Sequence, residues 1–255
     1  MKAEQENLIE ANISNLTSFW REASFSFATY QSEDAFDFCE IKNSDWPNRL
    51  WFKQSISQPN IAKAKEQIRS ASSPLIVPHW ELDGSQRYKL LEKNGFELIF
   101  EQVGMHMEIP NAFEEQEDFS LQRISSRKEA NLWAELYPQA FGYKIGAHIL
   151  EKTWGSIAFY LAFHKNQPVG TAILYQTGAV AGIHGVGVIP EMRKKGFAEQ
   201  IMKQLINKSR ENQAKHLVLQ ASAMGKGIYE RLGFKEQFHM RNYMLGETIP
   251  SNLLT

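Results

Sequence analysis

Cysteine is almost missing. Cys39 is the only one in 255 residues, so the chain can neither close an internal disulfide nor gather a thiolate metal cluster, which fits a reducing, cytoplasmic setting. Long apolar runs are missing too: the longest, such as residues 157–163, fall far below the roughly 18 to 20 residues that cross a bilayer. The opening stretch MKAEQENLIEANISNL mixes acids with apolar residues and has no signal-peptide core. No membrane partner is expected. An excess of one charge is also lacking, since the formal net charge is -1, and nucleic acid is not an expected partner without a broad basic face. HExxH, clustered histidine and cysteine ligands and a Walker sequence are absent, and Gly182, Gly185 and Gly187 do not form GxGxxG before a helix. Metal, nucleotide-triphosphatase and nicotinamide chemistry therefore have no support.

What is present is ordinary globular material, 43% hydrophobic and 22% charged, enough for one or two cores. The length suits two domains of about 100 to 150 residues. A polar stretch, PNAFEEQED from Pro110, marks the expected boundary, giving domains over 1–112 and 118–255. The two parts share an ending: LLEKNGFELIFEQVGMHME at 90–108 resembles IYERLGFKEQFHMRNYMLG at 228–246, an offset of 138 because residue 228 stands opposite residue 90. Each reads as a short helix closed by a left-handed glycine and followed by a strand pair. The same offset lays the amphipathic segment 61–70 on 199–208 and Trp51 on Ile189, which points to duplication. It also sets Ser57, Gln58, Pro59 and Asn60 opposite Lys195, Gly196, Phe197 and Ala198.

In the second part, residues 119–124 alternate as a strand. Residues 126–141 place Ala130, Leu132, Trp133, Leu136, Tyr137, Ala140 and Phe141 near helical spacing. Runs at 157–163, 169–175 and 180–189, with turns at Asn166 and Thr177-Gly178, predict an antiparallel meander. A helical stripe from Phe197 to Ile206 and a short buried strand over 217–219 follow. The fold class is α/β (α+β), a mixed, mostly antiparallel sheet flanked by helices.

The chemically informative segment is VGVIPEMRKKGFAEQIMKQLI, 186–206, in which a strand passes through Pro190 and a basic turn into a helix. Free amides at a helix start, the helix dipole and a glycine that lets the ligand approach suit a pyrophosphate. Arg193, Lys194 and Lys195 add positive charge. This segment resembles the signature of the GNAT acetyltransferase superfamily: Arg or Gln, two residues, Gly, one residue, then Gly or Ala. Arg193-Lys194-Lys195-Gly196-Phe197-Ala198 satisfies it, and Val188-Ile189-Pro190 matches the Val-x-Pro-like strand end before it. LQASAMGKGIYERLGF, 219–234, resembles a later family segment with a polar residue seven positions before a tyrosine that leads into Gly-Phe. Ser222 and Tyr229 occupy those positions, although the family more often has Asn at the first. The likeness covers 119–245 and leaves a degenerate, GNAT-like first part in which Pro59 and its neighbours have lost the anion-binding turn.

The resemblance implies acetyl-CoA as co-substrate and a primary amine of a small molecule or peptide as acceptor, attacking directly in a ternary complex. It implies that the main chain of Val186, Gly187 and Val188 positions the acetyl carbonyl, that Arg193 to Ala198 and Ser222 hold CoA, and that Tyr229 protonates the departing thiolate. A phenol near pKa ~10 facing a thiol near ~8.5 makes full transfer uphill by about 2 kcal/mol. His184, alternating with Val186 and Val188, is the candidate base. WPNRLWF at 46–52 and IVPHWELD at 76–83 are candidate walls of the acceptor cleft. A catalytically silent CoA-binding regulator and a two-lobed acyl or aminoacyl transferase are the alternatives.

Overall fold

The computed structural model describes residues 2–250. A 24-residue helix, α1 (Lys2–Phe25), opens the chain. The strands β1 (Tyr30–Ser32), β2 (Phe36–Cys39) and β3 (Arg49–Phe52) form a small antiparallel sheet. Then come α2 (Gln58–Ser70), β4 (Val77–Glu81), α3 (Tyr88–Lys93) and β5 (Phe96–Glu108). The second part contributes β6 (Phe119–Arg123), α4 (Arg127–Phe141), α5 (Ala147–Thr153), β7 (Ala158–His164), β8 (Gln167–Thr177) and β9 (Val180–Val188). It ends with α6 (Phe197–Glu211), β10 (His216–Ala221), α7 (Ala223–Leu232) and β11 (Lys235–Leu245).

Local chemistry accounts for these boundaries. Ser126 caps α4 by accepting from the Glu129 amide while the Glu129 carboxylate accepts from the Ser126 amide, and Gly142 ends the helix in the left-handed region at φ 76°. Such a reciprocal cap contributes about 1 kcal/mol. The meander turns with Asn166 at φ 64° and Gly178 at φ 57°, as the sequence predicts. Helix α1 was not predicted. It buries Leu16, Phe19, Trp20 and Ala23 on one stripe, with Asn12 and Asn15 buried among them. The sheet pairs their amide nitrogens: Asn12 Nδ2 donates to the Met105 carbonyl and to Gln237, and Asn15 Nδ2 donates to the Tyr175 carbonyl and Thr177, while Asn15 Oδ1 is buried with no partner among the described residues.

The eight-stranded sheet runs β4-β11-β5-β10-β9-β8-β7-β6, so strands from both parts share it. The offset of 138 lays α2 on α6, β4 on β10, α3 on α7 and β5 on β11. In space β5 and β11 lie side by side, antiparallel, with Gln102 opposite Met240. Each repeat's last strand pairs with the other repeat's preceding strand, β5 with β10 and β11 with β4, so the two repeats interlock by exchanging strands. This corrects the expected strand pair after each helix: both segments are single long strands. Gly104 is there for contact and not for a turn, because a Cβ would run into the Phe238 ring.

One core packs α1, α4 and α5 on one face of the sheet, and a second packs α6 on the other. A third fills the space between α2, α3, strands of the first part and Tyr243 and Leu245 of β11. Among the described residues no helix is long and apolar enough to cross a membrane.

Candidate active site

The site is built where two parallel strands part. β9 and β10 pair only over Val180–Gly182 and His216–Val218. Beyond that point β9 has no partner on its β10 side, while β10 stays paired with β5 through Ala221. The result is a wedge between residues 183–188 and 219–221. A bulge helps to open it: Thr171 lies opposite Gly187 but Ile173 lies opposite His184, so β9 carries one extra residue there, with Gly185 at φ 55°.

At the wedge's mouth the chain leaves β9 through Pro190 and enters α6. Gly196, at φ 83°, occupies the N-cap with no side-chain cap, and a Cβ there would meet nothing within 4 Å. Its carbonyl accepts from the Glu199 and Gln200 amides, but no backbone carbonyl among the described residues accepts from the amides of Lys194 to Ala198. Unpaired amides at the positive end of a 15-residue helix make an anion-binding cradle. The equivalent start of α2 is sealed, since Ser57 Oγ accepts from the Asn60 amide and Pro59 has no N–H.

The basic side chains contribute unequally. Arg193 Nε donates to the Val188 carbonyl at 3.2 Å and its Nη2 to the Ala140 carbonyl at 3.3 Å, so this guanidinium ties β9 to the end of α4 instead of entering the turn. Lys194, at φ 62°, and Lys195 are exposed. Phe197 is buried and stacks on Phe119 with ring centroids 5.9 Å apart, which anchors the helix whose first amides are offered. Ser222 is the N-cap of α7, its Oγ accepting from the Gly225 amide; its hydroxyl hydrogen is still available.

Tyr229 lies on α7 with its ring folded back against Gly225, packing edge-on to Phe234 at 6.0 Å. Its hydroxyl has no protein partner among the described residues, and burial pushes its pKa up to about 12. His184 is placed otherwise than expected. The bulge at Gly185 breaks the alternation, so Val186 and Val188 pack toward α6 while the His184 ring stacks on Phe19 of α1 at 4.5 Å and 11°. Burial lowers its pKa from 6.5 to about 3, outweighing a hydrogen bond with Gln220. A base that weak cannot usefully take a proton from an ammonium near ~8 to ~10.

Sequence reasoning missed the groups on the α1 face of the bulge. A Cβ at Gly185 would lie 3.2 Å from Tyr137, whose hydroxyl is 2.5 Å from that of Tyr143. The loop before β3 is fastened to Tyr143's own loop, with the Asp45 amide donating to the Lys144 carbonyl and the Lys144 amide to the Asp45 carboxylate. WPNRLWF reaches the strand only through Phe19, which lies 4.7 Å from Trp46 and stacks on His184. IVPHWELD does not stand beside the cleft: it forms β4, the far edge strand, with β11, β5 and β10 between it and β9.

Residues 122–234 match the model of the acetyltransferase (GNAT) family. That part of the chain belongs to the GNAT family. A Bacillus subtilis (strain 168) protein, provisionally named an acetyltransferase, is 25% identical over 142 residues, covering 53% of this chain and 95% of that protein. The solved structure of a GCN5-related N-acetyltransferase from Kribbella flavida superposes with a TM-score of 0.66 at 16% identity, covering 88% of this chain and 93% of that one. A tandem GNAT protein from the clavulanic acid biosynthesis pathway gives 0.56 at 12% identity, covering 82% and 76%. Both superpositions reach beyond residues 122–234 into the first part of the chain, which shares the GNAT-like fold.

Proposed function

We propose that the protein is an acetyl-CoA-dependent N-acetyltransferase of the cytoplasm that acts on a primary amine of a small molecule or peptide. The observation that carries this reading is the uncapped start of α6 at Gly196 beside the wedge between β9 and β10. The residues present fit CoA: free amides and a Cβ-free approach for the pyrophosphate, and a slot between strands for the arm leading to the sulfur. When bound, acetyl-CoA supplies the acetyl group as an activated thioester.

The chain's own groups then have defined tasks. Amides of Lys194 to Ala198 hold the pyrophosphate, and Ser222 contributes its hydroxyl hydrogen. The free edge of β9 at Val186, Gly187 and Val188 orients the acetyl carbonyl, and an N–H there stabilises negative charge developing on its oxygen. The amine nitrogen forms the C–N bond as the C–S bond breaks, the amine's proton leaves through water, and the sulfur takes up a proton. With Tyr229 near 12 and a thiol near ~8.5, full proton transfer from Tyr229 would be uphill by about 5 kcal/mol. Tyr229 therefore serves as a hydrogen-bond donor to the departing sulfur. Because His184 is not a base, the acceptor must arrive with its amine neutral.

Following free thiol while the protein is incubated with acetyl-CoA and pooled amines tests this reading. Amine-dependent release is the expected result; tight CoA binding without release for any amine would leave a silent CoA-binding protein in its place.

A further inference from the structure

Arg49 is a buried arginine with no anion. It is 8% exposed, and among the described residues no carboxylate lies within salt-bridge distance of it. Its Nη1 donates to the Pro47 carbonyl at 2.6 Å and the Asn48 carbonyl at 3.2 Å. Among the described residues its buried Nε has no partner, and Nη2 makes no hydrogen bond. The titratable groups that act on it are Tyr143, Cys39 and Tyr137, none of them a carboxylate, and the guanidinium sits 5.6 Å over the Trp20 ring. A guanidinium stays charged in such a place, and a buried charge without a counterion is a cost a fold does not keep without return.

Its position gives the reason. Tyr137, one of its neighbours, packs directly on Gly185 of the β9 bulge, and Tyr143, another, is bonded to Tyr137. On the other side Phe19 stacks on His184 and lies 4.7 Å from Trp46, which precedes the carbonyl holding Nη1. One layer of aromatic side chains thus separates the charge from the strand that would present the acetyl group. The charge comes from the first part of the chain, at the start of β3, just after a loop pinned to the second part by Asp45 and Lys144.

Building on the acetyltransferase reading, we propose that Arg49 receives a carboxylate of the acceptor, so that the substrate is an amino acid or similar amine whose acid lies several bonds from the reacting nitrogen, far enough to reach past the aromatic layer. The planar donor fork of Arg49, with Nε and Nη2 unengaged, is suited to bidentate carboxylate binding. The degenerate first part then has a task, to supply the recognition charge that the GNAT domain's own elements do not place there.

The test compares free amino acids with their primary amides as acceptors, with acetyl-CoA and thiol release as readout. At least one amino acid should exceed its amide in kcat/KM by about 100-fold. Arg49→Met should bring that ratio close to one by raising KM for the acid, with CoA affinity and the amide rate unchanged. Arg49→Lys, which keeps the charge but not the fork, should fall between. Amides accepted as well as acids, or an unchanged ratio in Arg49→Met, would overturn the proposal. If no amine releases thiol, the acetyltransferase reading fails separately, and melting temperature in saturating CoA decides this one. N-acetyl amino acids should raise it in the wild type and not in the variant, and no rise with any of them would refute the carboxylate site.

Discussion

Replacing His184 by Phe separates the two roles that a strand histidine beside this cleft could have. The ring is stacked on Phe19, and its buried Nε2 has no partner among the described residues. A phenyl ring keeps the stack and removes the orphaned polar atom. With a folded pKa of about 3 against 6.5, the unfolded state takes up a proton on this ring that the folded state refuses. The sign follows: the folded pKa is the lower, so stability is whole above about pH 6.5 and drains as the pH falls toward 3. At pH 5 the loss relative to pH 7.5 is about 2 kcal/mol from this one group. Urea denaturation at the two pH values should show wild type losing about 2 kcal/mol more than His184→Phe. His79 and His106, whose pKa values burial also lowers, titrate in both proteins and cancel in the difference. Thiol release at pH 7.5 should stay within a few-fold. Equal acid sensitivity of the two proteins would refute the buried neutral ring, and a loss of about 10²-fold or more in turnover would restore His184 as base.

Other substitutions probe the rest of the cleft. Tyr229→Phe should lower kcat by about 10²-fold, the size expected for one lost donor to developing charge, with CoA affinity intact; a wild-type rate by stopped-flow thiol detection would remove its role. Gly170→Ala should destabilise by about 1–3 kcal/mol and weaken CoA binding together, because its Cβ would run into the Gly187 carbonyl on the cleft strand; chemical denaturation beside calorimetry checks both.

The parts legible in the sequence were those in which one local signal dominates. The stripe of α6, the helical spacing of α4 and the turn glycines at 178 and 196 carry the second part's order, because each is decided within a few residues. Helix α1 was hidden by Asn12 and Asn15 on its buried stripe, although Ile9, Leu16, Phe19, Trp20 and Ala23 keep helical spacing. The strand exchange was beyond reach: β5 and β11 are alike in sequence, and nothing local says that each pairs with the other repeat. His184 was misplaced because the alternation from His184 to Val188 assumes a regular strand, and the extra residue at Gly185 inverts which face follows. Arg49 stood within a segment marked for its aromatics, but whether an arginine is buried without a partner depends on how α1 and the Tyr143 loop close over it.

The central claim is that main-chain amides at the start of α6 grip a diphosphate, and titration calorimetry with CoA tests it most directly. Because a Cβ at Gly196 has open space around it, Gly196→Ala and Gly196→Glu share the same left-handed backbone cost of about 1–2 kcal/mol and differ in the added charge and bulk. Wild type should bind CoA with a saturable exotherm, Gly196→Ala more weakly, and Gly196→Glu not at all while still folded. Equal CoA affinity in wild type and Gly196→Glu would contradict the claim.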